Sequence, residues 1–389
     1  MILSGVIMEP TLRTGLKRFV FLMLPAMLAL APVFLSAPSR AEPAGAPGKS
    51  DLSKHPLYST YRFTRDGSTI HFAHQPLAAP EGLVAEVMKR DVVLKRNLRA
   101  MGREVVFHPF LKGADIDFFV RRGDIDLATV GAVPTLTLAA GGDIQVTSIT
   151  KLGSAALITR RKYRDIKDLK GKRIGFPDGS TAHLGLLTAL SAAGMTEADV
   201  RMTPMEIPEL AGALANGRID AFSAFEPTPT GALAAHPDFV AIQRFHLSGY
   251  LLQTRTFAER DPEAAREIHS SYARSLRWLR KSGRNIETAA RWTLEAIEAL
   301  TGKKPEVTAG QLERILRNDT LRFAESPVLG EGDFRKGDFL HKSFLFLQAQ
   351  GKLPADARWE TVERAPNRRI MREVLSAPSK YKLGAYAPG

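Results

Sequence analysis

Two stretches of this chain repeat one pattern. Phe119-Val120-Arg121-Arg122-Gly123-Asp124-Ile125-Asp126 runs into Leu127-Ala128, and Leu214-Ala215-Asn216-Gly217-Arg218-Ile219-Asp220 runs into Ala221-Phe222. Each reads as a helix end, a glycine that turns the chain, and an Ile-Asp pair opening a short apolar strand. Each strand then stops at a proline-containing turn, Val130-Gly131-Ala132-Val133-Pro134 in one case and Phe225-Glu226-Pro227-Thr228-Pro229 in the other. Two α/β units of one architecture predict two lobes facing one another across a cleft. That arrangement suits holding a small molecule better than transforming one.

The flanking sequence extends both units. Thr69-Ile70-His71-Phe72-Ala73 alternates like a first strand, a helical pattern covers 81–101, and Glu104-Val105-Val106-Phe107 is a second strand. The strands 144–149 and 155–159 lie where the chain leaves the first lobe. A second unit then runs through the strand 173–176, a helix over 181–193 and the second Ile-Asp strand. An apolar strand at 245–254 returns the chain to the first lobe, and helices follow over 263–280, 286–300, 309–317 and 336–350. Strand–helix alternation of this kind predicts mostly parallel sheets covered by helices on both faces. The boundaries read as a leader over 42–67, a first lobe of 68–152 plus 253–355, a second lobe of 153–252, and a tail over 356–389 without a clear pattern. Crossings near 150–160 and 246–256 predict a hinge.

The N-terminus carries the marks of export. Arg13, Lys17 and Arg18 precede an apolar run over 19–35, and Ser39-Arg40-Ala41 offers small residues for cleavage after Ala41. The run is broken by Pro25 and Pro32 and sits at the short limit for a bilayer span. The chain of 389 residues contains no cysteine. That excludes disulfides, thiolate metal sites, cysteine nucleophiles and a lipid-modified anchor, so a free periplasmic protein fits best. The formal charge is +13, and residues 1–41 hold four basic and one acidic side chain, leaving +10. The basic residues form no dense stripe interleaved with aromatics, which argues against nucleic acid.

Candidate binding residues cluster at strand ends. In Gly175-Phe176-Pro177-Asp178-Gly179-Ser180-Thr181-Ala182-His183 a strand ends, glycine turns the chain, and Ser180 or Thr181 caps a helix. The first amides of that helix lack internal partners and, with the helix dipole, form a site for an oxyanion. The hydroxyls of Ser180 and Thr181 and the ring of His183 add donors. A plain N-cap and an ordinary helix histidine would give the same letters. Gly131 and Ala132 repeat the logic in the first lobe, where a tight turn binding nothing is the simpler reading. Gln75 offers an amide, Phe225 an apolar wall, and Glu226 an acceptor for a ligand amine.

These segments together resemble a family. Leu169-Lys170-Gly171-Lys172-Arg173-Ile174-Gly175, Gly179-Ser180-Thr181-Ala182-His183, Gly217-Arg218-Ile219-Asp220-Ala221 and Phe225-Glu226-Pro227 resemble the periplasmic binding proteins of ABC transporters for aliphatic sulfonates, taurine and nitrate. The related binders of thiamine pyrimidine precursors share the outline. Gly123 to Pro134 matches in order and spacing, and 344–354 resembles the family's late helix and Gly-x-Leu-Pro ending. The resemblance covers about 68–355. It implies a two-lobe periplasmic binding protein type II fold, a small anionic ligand, an inner-membrane ABC permease as partner, a monomer, and no metal or cofactor. It also implies ligand contacts at Ser180, Thr181 and His183. Sulfonate-type members commonly have tryptophan and aspartate where this chain has Phe225 and Glu226, and a Glu-Pro there is closer to some pyrimidine-precursor binders.

Enzymatic chemistry has little support. Ser180 and His183 lie within one helical turn, with no Gly-x-Ser-x-Gly elbow and no third orienting group. The nine histidines show no His-x-x-x-His spacing. The expectation is a solute-binding protein for a small anionic organic solute such as an aliphatic sulfonate or taurine. The alternatives are a binder of nitrate or bicarbonate, a binder of a thiamine pyrimidine precursor, or a ligand-sensing partner of a membrane receptor.

Overall fold

The computed structural model describes residues 51–389. The export signal and the leader's first part, 42–50, lie outside the described residues. The chain alternates strands and helices as follows: β1 Thr69–His74, α1 Glu81–Lys89, α2 Val92–Ala100, β2 Glu104–Pro109, α3 Gly113–Arg121, β3 Leu127–Gly131, α4 Ala132–Ala140 and β4 Ile144–Arg160. The second unit has β5 Arg173–Phe176, α5 Thr181–Ala192, β6 Arg201–Pro204, α6 Ile207–Ala215, β7 Ala221–Phe225, α7 Thr228–Ala235 and β8 Phe239–Thr254. Helices complete it: α8 Arg255–Arg260, α9 Pro262–Lys281, α10 Gly283–Thr301, α11 Ala309–Leu316, α12 Phe339–Ala349, α13 Trp359–Glu363 and α14 Arg368–Ser376.

All eight strands form one sheet in the order β2-β1-β3-β8-β4-β7-β5-β6. β1 pairs in parallel with β2 and β3, and β5 pairs in parallel with β6 and β7. Between these triplets run β4 and β8, long antiparallel partners paired from Ile144↔Thr254 to Arg160↔Phe239. Each lobe thus carries its expected parallel sheet as a triplet, and β8 and β4 join the two into one. Each triplet is one wing of a sheet whose middle is shared. The expected strands 144–149 and 155–159 are one strand, with register shifts at Val146/Ser148 and Ile149/Lys151. Such bulges bend and twist a strand without ending it.

The repeated Ile-Asp pairs do the same work in both wings. Gly123 and Gly217 turn the chain at φ +80° and +68°, where glycine alone carries no steric penalty. Ile125 and Ile219 are buried. The Asp126 carboxylate then accepts the backbone N–H of His71 at the start of β1 (2.9 Å), and Asp220 accepts that of Arg173 at the start of β5 (3.0 Å). Each aspartate pins the register of its wing.

Three segments differ from expectation. The helix predicted over 81–101 breaks at Asp91, whose carboxylate caps α2 through Val93 N–H and accepts from Arg274 Nε and Ser271 Oγ, each at 2.8 Å. A buried charge with three partners outweighs helical continuity. Residues 51–67, expected as leader, pack against the first wing. Tyr58 is buried against Phe110 and Phe119 and donates to Asp115 Oδ2 at 2.6 Å. The tail beyond 356 is ordered into α13 and α14 and buries Met371, Val374 and Leu383 in the core under α1, α2 and α9.

Candidate functional site

The carboxyl ends of the parallel strands converge on one cavity. Gln75 follows β1, Gly131 ends β3, Ser180 and Thr181 follow β5, and Phe225 ends β7. All five line a narrow space, with Glu81 from α1 and Lys151 from the middle of β4. Ligand sites of open α/β sheets lie in this place, outside the strands' carboxyl ends.

Several of the five are held by their neighbours. Gln75 Nε2 donates to Thr129 O at 3.0 Å. Ser180 Oγ caps α5 by accepting the N–H of His183 at 3.2 Å. Thr181 Oγ1 accepts the N–H of Val133, in the first turn of α4, at 3.3 Å. This contact joins the helix starts of the two wings, and a Cβ on Gly131 would collide with that hydroxyl, so only glycine fits there. Other contacts also bridge the wings: Ala79 N–H donates to Glu226 O at 3.0 Å, and Lys112 Nζ pairs with Glu206.

Ala132, His183 and Glu226 are not on the cavity lining. Ala132 is buried in the first turn of α4. The His183 ring packs at a tilt against Phe176, with centroids 4.3 Å apart, and its Nδ1 lies 3.1 Å from Asp178 Oδ1, which holds that carboxyl below its usual range. It braces the loop before α5. Glu226 caps α7 through Thr230 N–H at 3.1 Å, and burial pushes its carboxyl upward.

Sequence reasoning missed Lys151 and Glu81. Lys151 Nζ lies 2.6 Å from Glu81 Oε2, with both side chains at most 4% exposed. The same ammonium stands 5.5 Å from the Phe225 ring centroid. Thr150 Oγ1 donates to Glu81 Oε1 at 2.9 Å. The signal was a lysine inside an apolar stretch. It was hidden because 150–154 read as a gap between strands. Glu81 looked like any acid at a helix start.

Residues 104–281 match the model of the family described as NMT1/THI5 like. That match spans slightly less than half of the chain. Over 156 residues the chain is 30% identical to a protein of Brucella abortus (strain 2308) whose name describes a binding protein, a match covering 38% of the chain and 48% of the relative. The chain thus spans about half the length of the first curated relatives it matches. It is 25% identical over 313 residues to the taurine-binding periplasmic protein of Escherichia coli (strain K12), covering 76% of the chain and 91% of that protein. Among solved structures, the periplasmic sulfonate-binding protein of Methylobacillus flagellatus KT superposes with a TM-score of 0.60 at 20% identity, covering 82% and 97% of the two chains. The alkanesulfonate-binding protein of Xanthomonas axonopodis pv. citri, bound to MOPS, gives 0.59 at 19%, covering 77% and 98%. The chain therefore has the periplasmic binding protein fold.

Proposed function

We propose that this chain is the substrate-binding component of an ABC importer, capturing a small organosulfonate or similar anion in the periplasm and delivering it to an inner-membrane permease. The observation that carries the reading is the cavity itself. There the starts of α4 and α5, the hydroxyls of Ser180 and Thr181 and the ammonium of Lys151 meet between two wings. Helix starts favour negative oxygens without needing an arginine, and a buried ammonium adds a charge-assisted donor. Phe225 and Leu247 supply apolar wall for a short carbon skeleton. The relatives named for taurine and aliphatic sulfonates support the same ligand class. In this reading Ser180 and Thr181 touch the solute, while His183 and Glu226 hold the loops that present it. The wings would close by bending β4 and β8 together where they cross, at Gly153 and Gly249.

A thermal-shift screen with ethanesulfonate, 2-aminoethanesulfonate, nitrate and bicarbonate tests this. A ligand at one hundred times its Kd stabilises by about 2.7 kcal/mol. Ser180→Ala with Thr181→Ala is expected to weaken sulfonate binding by about tenfold or more, since about two donors to a charged group are lost. The lost cap on α5 costs about 1 kcal/mol of stability, leaving the fold intact. Unchanged affinity in the double variant overturns the anion site.

A further inference from the structure

The middle of the molecule holds a charged cluster that the anion reading leaves unexplained. Four elements contribute to it: Lys151 from β4, Glu81 from α1, Glu226 after β7, and Asp319 from the π-helical turn Arg317–Leu321 that follows α11. Two glycines make room for it. A Cβ on Gly249 would overlap the Glu81 carboxylate, and a Cβ on Gly153 would overlap that of Asp319. Gly153 lies two residues beyond Lys151 on the same face of β4, so Asp319 stands beside the lysine along the strand. The turn is fixed there by Thr320 Oγ1 donating to Thr150 O and Arg322 Nη2 donating to Leu152 O, both at 2.8 Å.

Charge accounting in this cluster constrains the ligand. Lys151 is already neutralised by Glu81 at 2.6 Å. A monoanion placed against Lys151 therefore adds one uncompensated negative charge to a buried space, at a considerable cost. The groups facing Asp319 are Lys151, Glu226, Glu81 and its neighbour Arg322. Glu226 is further engaged by Arg244 at 3.8 Å.

We infer that Lys151 is the residue that reads a ligand's negative oxygen, and that Asp319, seated beside it, takes up a solvent proton to offset the charge of a ligand lacking a cation of its own. The inference rests on the anion-binding reading above and deepens it. Burial already pushes the Asp319 carboxyl up to about 6, so the proton is available slightly below neutrality. A bound anion raises its proton affinity further, and by linkage protonation tightens the anion. A zwitterion such as an aminoalkanesulfonate carries its own offset and needs no proton.

Calorimetric titration of the full chain with ethanesulfonate, 2-aminoethanesulfonate and nitrate, at pH 5.5 and pH 7.5, tests this. Ethanesulfonate is expected to bind about tenfold more tightly at pH 5.5, whereas 2-aminoethanesulfonate changes by less than about twofold. Ethanesulfonate binding takes up a larger fraction of a proton at pH 7.5 than at pH 5.5, where Asp319 is already mostly protonated. Asp319→Asn abolishes the pH dependence and keeps the tight affinity at both pH values. Lys151→Met combined with Glu81→Gln, which avoids stranding a buried carboxylate, lowers affinity for every anion by about thirtyfold or more. A pH dependence that persists in Asp319→Asn, or full affinity in the Lys151 double variant, overturns the inference while the sulfonate reading stands. Nitrate binding that follows the same pH rule, with neither sulfonate bound, upholds the inference and overturns the sulfonate reading. Binding of none of the three overturns both.

Discussion

Buried histidines decide how single residues of this protein respond to acid. Burial pushes His74 and His108 down to about 3 and His269 down to about 4. Each is neutral in the fold and protonates in the unfolded chain below the ordinary value near 6.5. The unfolded state then binds more protons, so stability falls as pH drops from about 6.5 towards the folded values, by about 1.4 kcal/mol per pH unit for each histidine. Asp319 runs the other way. Its raised value favours the fold below about 6, and that contribution is lost as pH rises, so it offsets one histidine of the three. Urea denaturation at pH 7 and pH 5 is expected to show a clear net loss at pH 5. Equal midpoints would contradict it. At this scale the sequence was partly legible. Gln75, Gly131, Ser180, Thr181 and Phe225 do line one cavity, because a strand end followed by glycine or a cap leaves few places to point. His183 could not be placed from its letters, since its direction depends on the Asp178 carboxyl and the Phe176 ring.

Among elements, the C-terminal strap was the least readable and carries a good deal of stability. Arg274 is fully buried, donating to Asp91 Oδ2 at 2.8 Å, Glu267 Oε1 at 2.6 Å and the Tyr381 carbonyl at 2.8 Å. The last residues then close over α1 and α2 through Val92 N–H to Ala387 O and Gly389 N–H to Arg90 O. No local pattern announces such a segment, because its partners lie more than a hundred residues away. Arg274→Ala strands the Asp91 carboxylate and is expected to cost about 3–5 kcal/mol, read as a lowered urea midpoint. A loss below about 1 kcal/mol would show that water reaches Asp91. The regular elements were easier. The helices over 181–192, 262–281 and 283–301 follow apolar spacing and their caps Ser180, Asp261 and Ser282. The helix predicted over 81–101 failed because Asp91 reads as a surface residue when its partner Arg274 is unknown.

For the whole molecule, the repeat was the strongest guide, and it led to two wings with equivalent register pins at Asp126 and Asp220. It did not reveal that β4 and β8 belong to both wings, since pairing across a hundred residues leaves no period in the sequence. In the proposed reading, wing closure is braced by Lys112, which pairs with Glu206 across the two wings. Glu206→Lys places two cations there, and the ligand is expected to dissociate about threefold to tenfold faster with little change in stability, by stopped-flow release. An unaltered release rate would remove this pair from the closing surface. The ladder of β4 against β8 has one more consequence. A sheet that neither wing can leave without breaking the other's central strands has no boundary at which half of it could melt alone, so calorimetry should record a single endotherm with matching van't Hoff and calorimetric enthalpies.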